Sequence, residues 1–121
     1  MATELKNFRK GDSFILIWNF GTGVDITGWK LTFSLRDTFT SDIVCSVTRT
    51  AGDYPLDEVN NGIFYFYFDP ETSKTLVPKT YKWDIQLVIP GTHKQVLTLL
   101  PSEEYYNETI KIIPDVTWVD V

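Results

Sequence analysis

An all-β fold, with about seven antiparallel strands stacked as two sheets of a sandwich, is what this sequence predicts, and three features carry the expectation. In Tyr81-Lys82-Trp83-Asp84-Ile85-Gln86-Leu87, large apolar and polar side chains alternate without a break. Successive side chains of an extended strand point to opposite faces. Tyr81, Trp83, Ile85 and Leu87 are therefore expected in a core, with Lys82, Asp84 and Gln86 in water. Trp29 to Arg36 repeats the pattern, with Trp29, Leu31, Phe33 and Leu35 on the apolar side. The third feature is what is missing: turn residues punctuate the chain at short intervals, and no stretch carries the period of an amphipathic helix.

The elements follow in order. Phe14 to Phe20 reads as a strand with Phe14, Leu16, Trp18 and Phe20 on one face; Ile15 and Ile17 opposite predict that both faces are covered. Gly21-Thr22-Gly23 then reads as a hairpin turn, and Gly28 ends the segment Val24 to Thr27 just before the Trp29 strand. Asp37 to Asp42 is turn-like, Ile43 to Thr48 is a β-branched strand, and Ala51 to Asn61 is a long polar connection ending in the turn signal Asn60-Asn61-Gly62. Ile63-Phe64-Tyr65-Phe66-Tyr67-Phe68 is aromatic on both faces, so one face packs inward and the other meets a second surface. Asp69-Pro70 is a capping residue followed by proline, the start of one short helical turn crossing between sheets. Pro90-Gly91 turns the Tyr81 strand back into Gln95 to Leu100 as a hairpin, and Thr109 to Ile113 forms the last strand. Strand number and spacing match a sandwich of immunoglobulin-like size, with a small closed barrel as the alternative. The paired cysteines of an antibody domain are absent.

The chain of 121 residues has room for one domain, 1–121, with one core, and an aromatic content of 15 % supplies the side chains to fill it. No window approaches the roughly 20 apolar residues that span a bilayer, which predicts a soluble protein with no membrane partner. Met1 to Asn7 lacks the apolar centre of a secretory signal, which predicts a protein made and used inside a cell rather than one processed beforehand. A formal net charge of −5 opposes attraction to a phosphate backbone and gives no reason to propose nucleic acid as a partner. Cys45 is the only cysteine, so packing alone must hold the fold, and its place in a strand makes it a small buried hydrophobe.

Catalytic chemistry has little to build on. The single histidine, His93, lies in the expected turn Gly91-Thr92-His93-Lys94, so any Ser-His-Asp or Cys-His arrangement would have to form around it. One His with one Cys cannot make a transition-metal site. Asp53, Asp57 and Glu58 share a loop whose carboxylates offer oxygens to a calcium ion, but the spacing fits no EF-hand, and solvated loop carboxylates are the simpler reading. Gly21-Thr22-Gly23 has no helix after it to receive a phosphate, and Asn107-Glu108-Thr109 has only the form of a glycosylation acceptor. The expectation is a protein that is not an enzyme and carries no cofactor or metal.

The order of several local motifs resembles that of the small immunoglobulin-like structural proteins of tailed bacteriophages. The pieces are Phe8-Arg9-Lys10-Gly11-Asp12-Ser13-Phe14, Asp25-Ile26-Thr27-Gly28 with the alternating strand it introduces, Thr80 to Gln86, and Thr98-Leu99-Leu100-Pro101 with Asp115-Val116-Thr117. Two positions depart from the family pattern: Lys79 stands where a glycine commonly precedes the Thr-Tyr pair, and Ser102-Glu103-Glu104-Tyr105 replaces a glycine, which predicts a longer last hairpin. The resemblance implies a virion protein of the tail, baseplate or fibre-attachment region, made in the host cytoplasm. Its partners would be other virion structural proteins, in a symmetric multi-copy assembly. Capsid decoration is a variant of that expectation. From the residues themselves, Tyr65, Tyr67, Tyr105, Tyr106 and Trp118 are the candidate interface, because an amphipathic ring combines apolar area with one hydrogen bond. The same rings support a second reading, a carbohydrate-binding module for a host-surface glycan.

Overall fold

The computed structural model describes residues 8–100 and 109–113. The described chain forms β1 (Phe8–Arg9), β2 (Phe14–Asn19), β3 (Lys30–Arg36), β4 (Ile43–Thr50), β5 (Ile63–Phe68), the short α1 (Pro70–Ser73), β6 (Thr80–Ile89), β7 (Gln95–Leu100) and β8 (Thr109–Ile113). They make an all-β sandwich of a six-stranded sheet, ordered β1-β8-β6-β3-β4 with β7 also on β6, and a two-stranded sheet of β2 and β5. All pairings are antiparallel except β1 with β8, a two-residue parallel contact that the sequence pattern did not foreshadow.

The alternation that identified the strands also sets what they bury. Leu31, Phe33, Leu35, Tyr81, Trp83, Ile85 and Leu87 all lie in the core, and Phe33 pairs with Ile85 and Leu35 with Trp83 across β3 and β6. From the other sheet come Leu16, Trp18, Phe64, Phe66 and Phe68. Phe33 marks the middle of the sandwich: its ring meets Phe14 and Phe68 edge-on at 5.7 and 5.4 Å, while Phe14 and Phe68 stack at 4.9 Å. Such aromatic contacts add about 0.5–1.5 kcal/mol each beyond the area they bury. Two residues depart from the alternation. Trp29 precedes β3 and is only half-buried, edge-on to Phe20 at 5.2 Å, because the regular ladder begins at Lys30. Ser34, expected in water, is buried opposite Ser46, with the two hydroxyls 3.4 Å apart.

Two other expectations are corrected. Gly21-Thr22-Gly23 is not a hairpin turn: β2 pairs with β5 and β3 with β4 and β6, so this glycine-rich stretch starts a connection from one sheet to the other. Ile15 and Ile17 are not covered as expected; they are 38 % and 41 % exposed on the outer face of the two-stranded sheet. Period two shows that a strand has two faces but not whether anything packs on the second.

The crossing from β5 to β6 follows its local chemistry. The Asp69 carboxylate caps α1 by accepting from the Thr72 N–H at 2.7 Å, and Pro70 occupies the first turn. Buried Ser73 accepts from the Gly11 N–H at 2.8 Å and ties the entry of β2 to this turn. Beyond it, the Tyr81 hydroxyl donates to the Val77 carbonyl four residues upstream, the bond of a tyrosine corner, which immunoglobulin-like sandwiches place where the chain crosses sheets to begin a central strand. Burial pushes the Tyr81 phenol up from its ordinary value. Cys45, half-buried against the core, has its thiol raised by burial, with the Asp69 charge adding to the shift.

Candidate functional site

The outer face of the two-stranded sheet is where the sandwich shows chemistry other than a covered core. On β5, Phe64, Phe66 and Phe68 point inward, so Tyr65 and Tyr67 point out, opposite Ile17 and Ile15 of β2. Tyr54, from the connection after β4, lies against both tyrosines, with ring centroids 5.4 Å from Tyr65 at 21° and 5.9 Å from Tyr67 at 40°. Arg49, at the end of β4, and Asp53 complete the lining of an open cleft of about 420 Å³. That volume falls within the ordinary range of small binding sites, roughly 300–1,000 Å³.

Backbone chemistry holds these groups in place. The Asp57 carboxylate accepts three main-chain N–H groups, those of Tyr65 at 2.7 Å, Gly52 at 2.8 Å and Tyr54 at 3.2 Å, so one side chain fixes the loop and docks it on β5. Asp53 accepts from the Thr50 N–H at 2.8 Å. Arg49 donates through Nε to the Tyr67 carbonyl at 2.8 Å and through Nη2 to Asp69 at 3.1 Å, which clamps the plane of the guanidinium and joins the two sheets along that side. The Asp69 carboxyl is held below its ordinary range, chiefly by hydrogen bonds from Thr72 and secondarily by Arg49. Both partners of this ion pair are about a quarter to a third exposed, so its energy is modest and its role is geometric.

The loop carboxylates weighed above for calcium are thus engaged with the protein itself: Asp57 and Asp53 hold backbone N–H groups, and Glu58 accepts from the Asn61 side chain at 3.4 Å. Among the described residues no group of three His, Cys, Asp or Glu side chains lies together to hold a metal. His93 is exposed in the β6–β7 turn, as its neighbours in sequence imply. No described helix is long and apolar enough to cross a membrane.

Of the five aromatic residues singled out from the sequence, the fold brings Tyr65 and Tyr67 together on one face. Tyr105, Tyr106 and Trp118 lie outside the described residues, as do Asn107 and Glu108 and the length of the last hairpin. Sequence reasoning missed Tyr54, Arg49, Ile15 and Ile17 as members of the site. Arg49 and Tyr54 carry no local signal, since only the pairing of β4 with β3 and the Asp57 bonds bring them to β5. Comparison with protein-family models, with curated proteins and with solved structures finds no match for this chain.

Proposed function

We propose that the chain is a non-enzymatic structural subunit of a bacteriophage virion, in the tail, baseplate or fibre-attachment region, that works by docking neighbouring virion proteins. The family reading comes from the order of the sequence motifs. The docking reading is supported by one observation above the others: Tyr54, Tyr65, Tyr67 and Arg49 gather on an outward face beside the half-exposed Ile15 and Ile17. Tyrosine, arginine and aliphatic side chains with little other charge are the composition of an interface centre rather than of ordinary surface. In this proposal, copies repeated by the symmetry of the particle multiply modest contacts into durable attachment.

The ring geometry favours protein over sugar. A sugar platform needs a ring face open to solvent, whereas Tyr54 lies over Tyr65 at 21° and also against Tyr67, so the rings cover one another. The glycan reading keeps one supporting feature, the presence of both Arg49 and Asp53 in the lining of a cleft of about 420 Å³, where both could bond hydroxyl groups. Phage carrying Tyr54→Ala with Tyr67→Ala decide between them, once the isolated variant is shown to be folded. Loss of interface aromatics on the order of 2 kcal/mol or more should reduce incorporation of the subunit or of attached tail parts. Fully assembled variant particles that fail only to adsorb, together with glycan binding by the wild-type domain, would overturn docking in favour of surface recognition. Loss of the subunit from heads with intact tails would instead support capsid decoration.

A further inference from the structure

The two edges of the β2–β5 sheet are treated differently by the rest of the chain. On the β5 side every second residue turns its backbone outward, and the chain meets four of the six groups that Ile63, Tyr65 and Tyr67 present. The Ile63 N–H and carbonyl bond to Glu58 at 3.1 and 3.0 Å, the Tyr65 N–H to Asp57 at 2.7 Å, and the Tyr67 carbonyl to Arg49 at 2.8 Å. The even-numbered residues face β2, as the bond from the Phe20 N–H to the Gly62 carbonyl at 2.8 Å shows at the end of the ladder. In an antiparallel pair, residues opposite one another turn their backbone groups the same way, both inward or both outward. Ile15 and Ile17 sit opposite Tyr67 and Tyr65, so their N–H and carbonyl groups point away from β5, to the outer edge of β2. Among the described residues no strand lies on that edge, and no hydrogen bond reaches those outward groups of Ile15 and Ile17.

The edge also lacks the usual protection. Phe14-Ile15-Leu16-Ile17-Trp18-Asn19 carries no charge, no proline and no glycine, and the register with β5 runs unbroken through all six positions. Folded proteins ordinarily blunt such edges with lysine, proline or a bulge, because a bare apolar edge templates another strand.

We propose that a second copy of this chain pairs on β2, antiparallel and about a two-fold axis at Leu16. The pairing runs along the backbone edge of β2 and shares with the docking face only the Ile15 and Ile17 side chains, so the inference goes beyond the docking reading and rests on the edge itself. The register follows from parity. Outward-facing residues must meet outward-facing residues, and the pairing that uses only Ile15 and Ile17 sets Ile15 against Ile17 of the second copy and the reverse. The four open backbone groups of each chain are then all met. On the outer face, two isoleucine pairs form where each side chain was about two-fifths exposed. A continuous sheet β5-β2-β2-β5 results, closed by the two-fold and without the open growth of a head-to-tail contact. A second copy suits this edge better than a charged partner segment does, because the strand is uncharged and its outward residues are identical about Leu16.

The test uses the full 121-residue chain. Analytical ultracentrifugation of the wild type should show a concentration-dependent dimer that strengthens with added salt, since each copy carries a net charge of −5 and screening reduces their repulsion. Ile17→Lys, at an exposed side chain, should leave the near-ultraviolet circular dichroism unchanged and weaken the dimer at least tenfold. The register is read by cross-linking in a Cys45→Ser background. An equimolar mixture of Ile15→Cys and Ile17→Cys should oxidise to a covalent dimer, because hydrogen-bonded partners lie about 5.5 Å apart at Cα, within disulfide reach. Neither variant alone should do so. A wild type that stays monomeric at every concentration overturns the proposal, as does a dimer unaffected by Ile17→Lys. Cross-linking of either variant alone as readily as the mixture overturns the register about Leu16.

Discussion

Removing the Asp57 carboxylate tests how the candidate site is held. In Asp57→Ala the N–H groups of Tyr65, Gly52 and Tyr54 lose a charged acceptor at 2.7, 2.8 and 3.2 Å. The bond to Tyr65 is short and partly buried, so its loss should cost about 1.5–2 kcal/mol; the bond to Gly52, which water can replace, and the long bond to Tyr54 should cost about 0.5–1 kcal/mol each. The total is about 3 kcal/mol, a fall in melting temperature on the order of 10 °C for a domain of this size. Asp57→Asn keeps the shape but should cost at least half as much. One oxygen accepts from Tyr65 and the other from Gly52 and Tyr54, and an amide can offer an acceptor on only one of those sides. Urea unfolding should show a lower midpoint with an unchanged slope, and the Tyr65 amide should exchange faster with solvent in both variants. An alanine variant within about 0.5 kcal/mol of wild type, or an asparagine variant that matches wild type, would refute the reasoning.

Gly62→Ala should be strongly destabilising, because Gly62 has φ of +70° and an added Cβ would lie 2.6 Å from the Gly21 carbonyl oxygen. The left-handed conformation alone costs about 1–2 kcal/mol and the backbone clash adds to it, so a melting temperature near that of wild type would contradict this account. Acid stability should depend on Asp37, whose carboxyl is lowered from 3.8 to about 2 by the N–H groups of Phe39 and Thr40 and, less strongly, by Lys79 at 3.0 Å. A lowered folded-state value means that the contribution is complete above about pH 4 and is lost as the pH falls toward 2. Asp37→Asn should therefore flatten the stability profile across that window, and denaturation curves between about pH 2 and 5 that keep the wild-type slope would count against it.

The strand faces were legible in the sequence because period two is a local property: from Tyr81 to Leu87 and from Leu31 to Leu35 the apolar set can point only one way. The α1 turn was legible for the same reason, since Asp69 and Pro70 act on their own neighbours. Apart from the Pro90-Gly91 hairpin of β6 with β7, local pattern did not reveal which strands share a sheet. Pairing is decided by contacts between residues far apart in the chain, so the glycines after β2 could be read as a hairpin although β2 pairs with β5, more than forty positions on. The exposure of Ile15 and Ile17 was hidden likewise, since a second apolar face looks the same in sequence whether another layer covers it or not. The site divides along this line. Alternation placed Tyr65 and Tyr67 on one face of one strand, whereas Tyr54 and Arg49 joined them through long-range bonds, the Asp57 carboxylate on the Tyr65 N–H and the Arg49 guanidinium on the Tyr67 carbonyl. Side-chain direction is a matter of one residue and the next, which sequence alone determines; neighbourhood across the sandwich depends on how the whole core closes, and only the tertiary structure decided it.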